Sequence, residues 1–115
     1  MKTNIICDRN DEGVIDLFVS RSNGLCRLTI SNKYPNAAFF STLVVDRENR
    51  RCGIGTMLLK LAQETAVDYG CTVMTLQVKC QSWQAGWYRR NGFEPIGEGY
   101  YDDMIIMSKR LKQKQ

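Results

Sequence analysis

The chain has 115 residues, a formal net charge of +4, 43% hydrophobic and 24% charged residues. This length predicts one domain, residues 1–115, with a single core, and it is short for an enzyme with a separate substrate domain. The chain has five cysteines, no C-x-x-C pair and no histidine. These features exclude every histidine-based triad or base and disfavour a disulfide framework or a zinc site, so we expect no metal.

The sequence predicts a cytoplasmic protein with neither a membrane nor a nucleic acid as partner. No apolar run approaches the ~18 residues of a membrane span, and the N-terminal residues lack the apolar core of a signal peptide. Basic residues cluster only at 47–51 and in the tail at 109–114. The tail is interpreted as a solvated C-terminus rather than a nucleic-acid-binding segment.

The first half of the chain predicts three strands. Residues 13–20 and 25–31 are rich in β-branched and aromatic side chains and form a hairpin closed around Asn23-Gly24. After a loop, residues 37–45 are strongly apolar. We therefore expect this third strand to be buried on both faces, in the middle of the sheet.

The second half predicts two helices and three further strands. One helix runs from Thr56 to Tyr69 and ends at Gly70, and the alternating stretch 72–79 follows as a strand. A second helix runs over 82–91, with Ser82 as its N-cap. Two strands end the chain, one over 93–96 and one that starts at residue 100 or 104 and ends at 109. The fold class is thus mixed α/β.

The stretch 43–59 predicts an anion site between the third strand and the first helix. Gly53 and Gly55 let the backbone turn its N–H groups outward, and the helix adds the positive end of its dipole. Arg50 and Arg51 supply cations with the fork geometry that suits phosphate. A Walker loop is excluded because no Gly-Lys-Ser/Thr run exists, and a dinucleotide fingerprint lacks its third glycine.

Two motifs resemble the GNAT superfamily of N-acetyltransferases. The first is Arg-x-x-Gly-x-Gly, from Arg50 to Gly55, and the second is Tyr-x-x-x-Gly-Phe, from Tyr88 to Phe93. They occur in the family's order, with one helix and one strand between them. The resemblance covers residues 13–110. It implies a mostly antiparallel sheet that splays between the third and fourth strands, with acetyl-coenzyme A in the gap and the N-terminal helices reduced or absent.

The resemblance also implies the donor site. The backbone of the third strand would bind the pantetheine arm, the glycine loop would hold the pyrophosphate, and the second helix would supply the remaining contacts. Ser82 stands where many members have an asparagine. The implied coenzyme-binding residues are Leu43, Val44, Val45, Arg50, Arg51, Cys52, Gly53, Ile54, Gly55, Thr56, Ser82, Ala85 and Tyr88.

The function implied is direct transfer of an acetyl group to a primary amine, with Tyr88 as general acid. The strand before the glycine loop has no glutamate to serve as base. Asp102, or one of Asp103, Glu94 and Glu98, could take this role, although solvated loop acids explain them equally well. The alternative function is a non-catalytic acyl-coenzyme-A-binding module or regulatory adaptor.

The short length of the segment before the first predicted strand indicates how open the acceptor site is. Family members carry one or two helices between their first two strands, and only about a dozen residues precede the strand at Gly13. The acceptor site is therefore open to a small-molecule or peptide amine, or a second copy of the chain completes it as a homodimer.

Overall fold

A computed structural model describes residues 2–21, 24–46 and 53–113 of the chain. Its elements are β1 Asn4–Arg9, β2 Ile15–Arg21, β3 Gly24–Ile30, β4 Ala37–Val45, α1 Ile54–Asp68, β5 Val73–Lys79, α2 Trp83–Arg90, β6 Glu94–Glu98 and β7 Met104–Arg110. The strands form one sheet in the order β1-β2-β3-β4-β5-β7-β6, in which only the β4–β5 pair is parallel. The predicted mixed α/β fold class is confirmed.

The predicted elements are found, with ends that shift by a few residues. Gly24 pairs with Arg21 and begins β3, so it is not a turn residue, while Ser22 and Asn23 lie outside the described residues. Gly70 and Gly92 follow the two helices with φ of +88° and +95°. This left-handed conformation is the reason that glycine ends a helix there.

The strand β1 was not predicted. It pairs antiparallel with β2, from Asn4 opposite Ser20 to Arg9 opposite Ile15. All six of its residues are exposed, so its sequence lacks the apolar alternation of a half-buried strand. A tight turn joins it to β2, in which Gly13 adopts a φ of +82°.

Both helices pack on the same face of the sheet. The Cys26 thiol of β3 lies 3.9 Å from the Leu58 carbonyl of α1, and the ring of Tyr88 in α2 contacts Phe40 of β4. The core also contains fully buried side chains of β2, β5 and β7, namely Leu17, Val19, Met74, Leu76 and Met107. Neither described helix combines the length and apolarity needed to cross a membrane.

The opposite face carries no helix within the described part of the chain. The prediction that the third strand is buried on both faces is therefore wrong, because the side chain of Val44 is 53% exposed on β4. Its central position is confirmed, since β4 is the fourth of seven strands.

Gly24 lets α1 approach the sheet closely. A Cβ built on Gly24 would lie 2.5 Å from Cδ1 of Leu58 and 3.0 Å from Cγ2 of Ile54. Leu58 is fully buried and cannot swing away. The start of α1 thus rests on β3 at a distance that only glycine permits.

We expect Gly24→Ala to lower the free energy of unfolding by about 1–3 kcal/mol, because the added methyl group overpacks the α1–β3 contact. Urea denaturation measures this change. Gly97→Ala on β6 is the control: a Cβ there has no neighbour within 4 Å, so its effect should stay within about 0.5 kcal/mol. Equal stability of the two variants would contradict the close approach.

Candidate active site

A gap opens between β4 and β5. The two strands pair over only three positions, the last being Phe39 opposite Thr75, although β4 continues to Val45 and β5 to Lys79. Beyond this point each strand stays paired with its other neighbour, β4 with β3 and β5 with β7. The splay predicted between the third and fourth strands is confirmed, and it lies at their carboxyl ends, where ligands of such sheets bind.

A β-bulge in β4 coincides with the start of this gap. Phe40 lies opposite Leu28 and Thr42 lies opposite Arg27, so Ser41 is an extra residue with no partner of its own on β3. A bulge bends its strand and increases the local twist. Its position indicates that it turns β4 away from β5.

The bulge also sets which side chains line the gap. Residues three apart on a regular strand point to opposite faces. Here Phe40 lies opposite Leu28 and Leu43 lies opposite Cys26, and both of these β3 partners face the helices. Phe40 and Leu43 therefore both face α1 and α2.

Tyr88 lies at the closed end of the gap. Its ring centroid is 6.3 Å from that of Phe40, the first β4 residue beyond the last β4–β5 pair, and 5.0 and 5.6 Å from those of Trp87 and Phe93. All three contacts have edge-to-face geometry, which fixes the ring. Burial, and secondarily the charge of a Cys26 thiolate, raises the pKa of Tyr88 to about 12.

Trp87 joins the gap to the first turn of α1. A Cβ built on Gly55 would lie 3.9 Å from Cζ2 of Trp87 and 4.0 Å from Cδ2 of Leu43. Neither Trp87 nor Phe40 was predicted as a site residue. Trp87 could have been predicted because it is an aromatic residue directly before Tyr88 in the sequence. Phe40 could not, because its place in the site depends on the bulge in β4.

The N-terminus of α1 presents backbone donors that have no partner within the helix. Its N-cap is Gly53, with φ +77°, and no side chain of the described residues caps the first turn, which also contains no acidic residue. The first intrahelical bond runs from the Met57 N–H to the Gly53 carbonyl. The N–H groups before it have no helical partner, and with the helix dipole they favour an anion.

Nothing in the described residues requires glycine at position 55. The φ of Gly55 is not positive, and a Cβ would make only ordinary contacts with Trp87 and Leu43. Glycine costs up to about 1 kcal/mol relative to alanine in a helix. A bound group that approaches the first turn closely would explain the residue, and the uncapped donors suit a phosphate.

Ser82 and Ala85 begin α2. The Ser82 hydroxyl donates to the Lys79 carbonyl at 2.7 Å and accepts from the Ala85 N–H at 3.2 Å, so its predicted N-cap role is confirmed. The hydroxyl is thus engaged within the chain, and Ala85 is buried. Coenzyme binding by these two residues stays a prediction.

The remaining predicted donor-site residues fall into two described groups and one that the structure does not describe. Leu43, Val44 and Val45 lie on β4 along the gap, whereas Ile54 and Thr56 belong to the first turn of α1. Arg50, Arg51 and Cys52 lie outside the described residues.

The candidate bases are all exposed. Asp102 and Asp103 lie in the loop between β6 and β7, beside the end of β5, where the Cys80 N–H donates to the Asp103 carbonyl at 2.9 Å. Glu94 and Glu98 lie on β6. Over residues 2–21, 24–46 and 53–113, the structure brings no carboxylate into contact with the Tyr88 hydroxyl, and it groups no three potential metal ligands.

Comparison with known proteins gives the same assignment as the two motifs. A model of the acetyltransferase (GNAT) domain matches residues 4–95. A sequence comparison with curated proteins found no match. Among solved structures, a PaiA N-acetyltransferase from Thermoplasma acidophilum, in complex with coenzyme A, is 25% identical with a TM-score of 0.69. The match covers 84% of this chain and 60% of that one, so the chain spans less than two thirds of that relative.

Two other solved structures share the fold. The ribosomal-protein-S18-alanine N-acetyltransferase from Escherichia coli is 17% identical, with a TM-score of 0.70 over 93% of this chain and 74% of that one. The IAA acetyltransferase from Bacillus cereus is 21% identical, with a TM-score of 0.68 over 85% and 78% of the two chains. With the domain match over most of its length, the chain belongs to the GNAT family of acetyltransferases.

Proposed function

We propose that the chain is an acetyl-coenzyme-A-dependent N-acetyltransferase that transfers the acetyl group directly to a primary amine. The observation that carries this proposal is the β4–β5 gap, which has Tyr88 at its closed end and the uncapped N-terminus of α1 beside it. The coenzyme A bound to the Thermoplasma relative supports the choice of donor.

The donor site uses backbone groups and cations. The first-turn N–H groups of α1 would bind the pyrophosphate, and Arg50 and Arg51 would neutralise its charge. The backbone of β4 from Leu43 to Val45 would bind the pantetheine arm. Gly55 would let the phosphate approach, which accounts for a glycine that the fold itself does not require.

Tyr88 is the proposed general acid. Acetyl-coenzyme A, when bound, supplies the acetyl group as a thioester, and transfer to an amine releases a thiol. With a pKa of about 12, the Tyr88 phenol holds its proton throughout the physiological pH range. The same burial makes it a weaker acid than free tyrosine, so we place its contribution at the low end for such groups, about 10²-fold.

Asp102 is the proposed base, and it would act through water because it is exposed. Asp103, Glu94 and Glu98 share that exposure, and all four acids would attract a cationic amine. The position of the loop beside the end of β5 supports Asp102 and Asp103 over the glutamates of β6.

The acceptor is proposed to be a small-molecule or peptide amine. A turn over residues 10–14 joins β1 and β2, and no described helix covers the second face of the sheet. This open face leaves room for an extended acceptor. A second copy of the chain that completes the acceptor site is the other arrangement compatible with it.

Gly55→Ala tests the donor site. We expect this variant to be as stable as the wild type, or up to about 1 kcal/mol more stable, but to lose most of the rise in Tm that coenzyme A causes. Gly86→Ala in α2 is the matched helical control and should keep that rise. A full coenzyme A response in Gly55→Ala would contradict the proposed phosphate approach.

Tyr88→Phe tests the acid. We expect kcat to fall about 10²-fold in an assay of thiol release with a panel of amines, while the Tm rise with coenzyme A persists. Tyr34→Phe, at a hydroxyl on an exposed loop, is the control for hydroxyl removal. Unchanged turnover in Tyr88→Phe would remove the assigned role. Coenzyme binding by the wild type without turnover of any amine would favour the non-catalytic module.

The titration of Tyr88 is a separate test of its burial. Its pKa in the folded chain lies above the reference value of about 10, so the stability linked to its neutral form is complete below pH 10 and is lost as the pH rises through 12. The phenolate absorbance of the wild type minus that of Tyr88→Phe should therefore appear near pH 12. Appearance near pH 10 would mean that the phenol is solvated.

A further inference from the structure

The two edges of the sheet differ in how they are protected. At one edge, β6 has five residues, contains Pro95, which lacks an N–H, and shifts register between Pro95 and Gly97. These are devices by which proteins prevent another strand from pairing with an edge. At the other edge, β1 has six residues in unbroken register and contains neither a proline nor a bulge.

The side chains of β1 are apolar at its centre and polar at its ends. Ile5 is 49% exposed, Ile6 is 64% exposed, and Cys7 is also exposed. Charged residues occur only at either side, with Lys2 before this run and Asp8 and Arg9 after it. Exposed apolar residues at the centre of an unprotected edge indicate a strand that is covered in the native assembly.

The backbone of β1 has donors and acceptors directed outward. The Asn10 N–H donates to the Val14 carbonyl at 3.0 Å, which makes this a hydrogen-bonded antiparallel pair. Because such pairs alternate along a ladder, Asp8, Ile6 and Asn4 bond to β2. The N–H and carbonyl groups of the residues between them therefore point to the free edge.

We propose that β1 pairs antiparallel with β1 of a second copy of the chain, about a two-fold axis at Ile6, to give a continuous fourteen-stranded sheet. In this register Ile6 lies opposite Ile6 of the second copy, and Ile5 lies opposite Cys7. Asn4 lies opposite Asp8, so no like charges meet. The outward backbone groups of Ile5 and Cys7 then form the hydrogen-bonded pairs.

The neighbouring two-fold registers are less complementary. An axis at Cys7 would set Ile5 against Arg9 and Ile6 against Asp8. An axis at Ile5 would set Asn4 against Ile6. Only the axis at Ile6 opposes apolar side chains to one another on both faces of the ribbon, and such cross-strand pairs are what stabilise a sheet.

Tyr69, directly after α1, adds an aromatic side chain to the proposed interface. Proximity to the Cys7 side chain, and secondarily burial, raises the pKa of Tyr69, which is 40% exposed. It therefore lies on the same face as Ile5 and Cys7, beside the free edge. The surface available to a second copy includes this aromatic ring as well as the strand.

This interface is separate from the proposed active site. Three strand spacings divide β1 from β4, which is about 14 Å. The dimer can therefore be correct or wrong regardless of the acetyltransferase proposal, and its test does not require enzyme turnover.

Ile6→Lys tests the interface, because it places two ammonium groups opposite each other at the axis while the side chain stays solvated in the monomer. By light scattering after size exclusion, the wild type should have twice the chain mass of 13.2 kDa, and Ile6→Lys should have 13.2 kDa. Ile96→Lys on β6, at a site 62% exposed, is the matched control and should remain dimeric. A monomeric wild type, or a dimeric Ile6→Lys, would overturn the proposal.

Ile6→Cys tests the register without relying on a loss of assembly. The two Ile6 positions form a non-hydrogen-bonded pair with a Cα separation of about 4.5 Å, which a disulfide can span. Mild oxidation should convert most of Ile6→Cys to a covalent dimer, whereas the wild type and Ile96→Cys, which share the other exposed cysteines, should stay largely uncrosslinked. Failure of Ile6→Cys to crosslink would overturn the register. So would a covalent dimer of the wild type in the same yield that Cys7→Ser abolishes, because it would place Cys7 rather than Ile6 on the axis, whereas a dimer that persists in Cys7→Ser would come from a cysteine away from β1, such as Cys80, and would overturn it as well.

Discussion

The separation of β4 from β5 is the constraint on which the candidate site depends. Three parallel pairs join the strands, and the bulge at Ser41 then turns β4 away while its pairing with β3 continues. The bulge has a second effect, since it leaves Phe40 and Leu43 on the same face. One extra residue thus both opens the gap and directs its lining toward the helices.

The two helices complete the site because they share that face. α2 brings Tyr88 against Phe40, and its neighbour Trp87 approaches Leu43 and the first turn of α1 at Gly55. The close approach of α1 to β3 at Gly24 holds this first turn in place. The aromatic contacts that fix Tyr88 and the packing that fixes the first turn of α1 are therefore parts of one apolar core, so substitutions in that core affect both.

The sequence predicted the parts of the site that local patterns encode. The bounds of the strand 37–45 are confirmed, as are the helix before Gly70 and the cap at Ser82, because apolar runs, left-handed glycines and capping hydroxyls have local signatures. Pairing between strands has none, so neither the bulge at Ser41 nor the strand at Asn4–Arg9 was predicted. Burial of β4 on both faces was expected from its apolarity, but burial depends on what covers the sheet.

The strand order has a mechanical consequence. The strands β1 to β4 form one antiparallel block and β5 to β7 form another, and within the sheet only the three β4–β5 pairs join the blocks. This short parallel connection between β4 and β5 can serve as a hinge. The longer antiparallel ladders within each block make the block itself more rigid. A donor bound across the gap would contact both blocks, so its binding energy would also stabilise their relative arrangement.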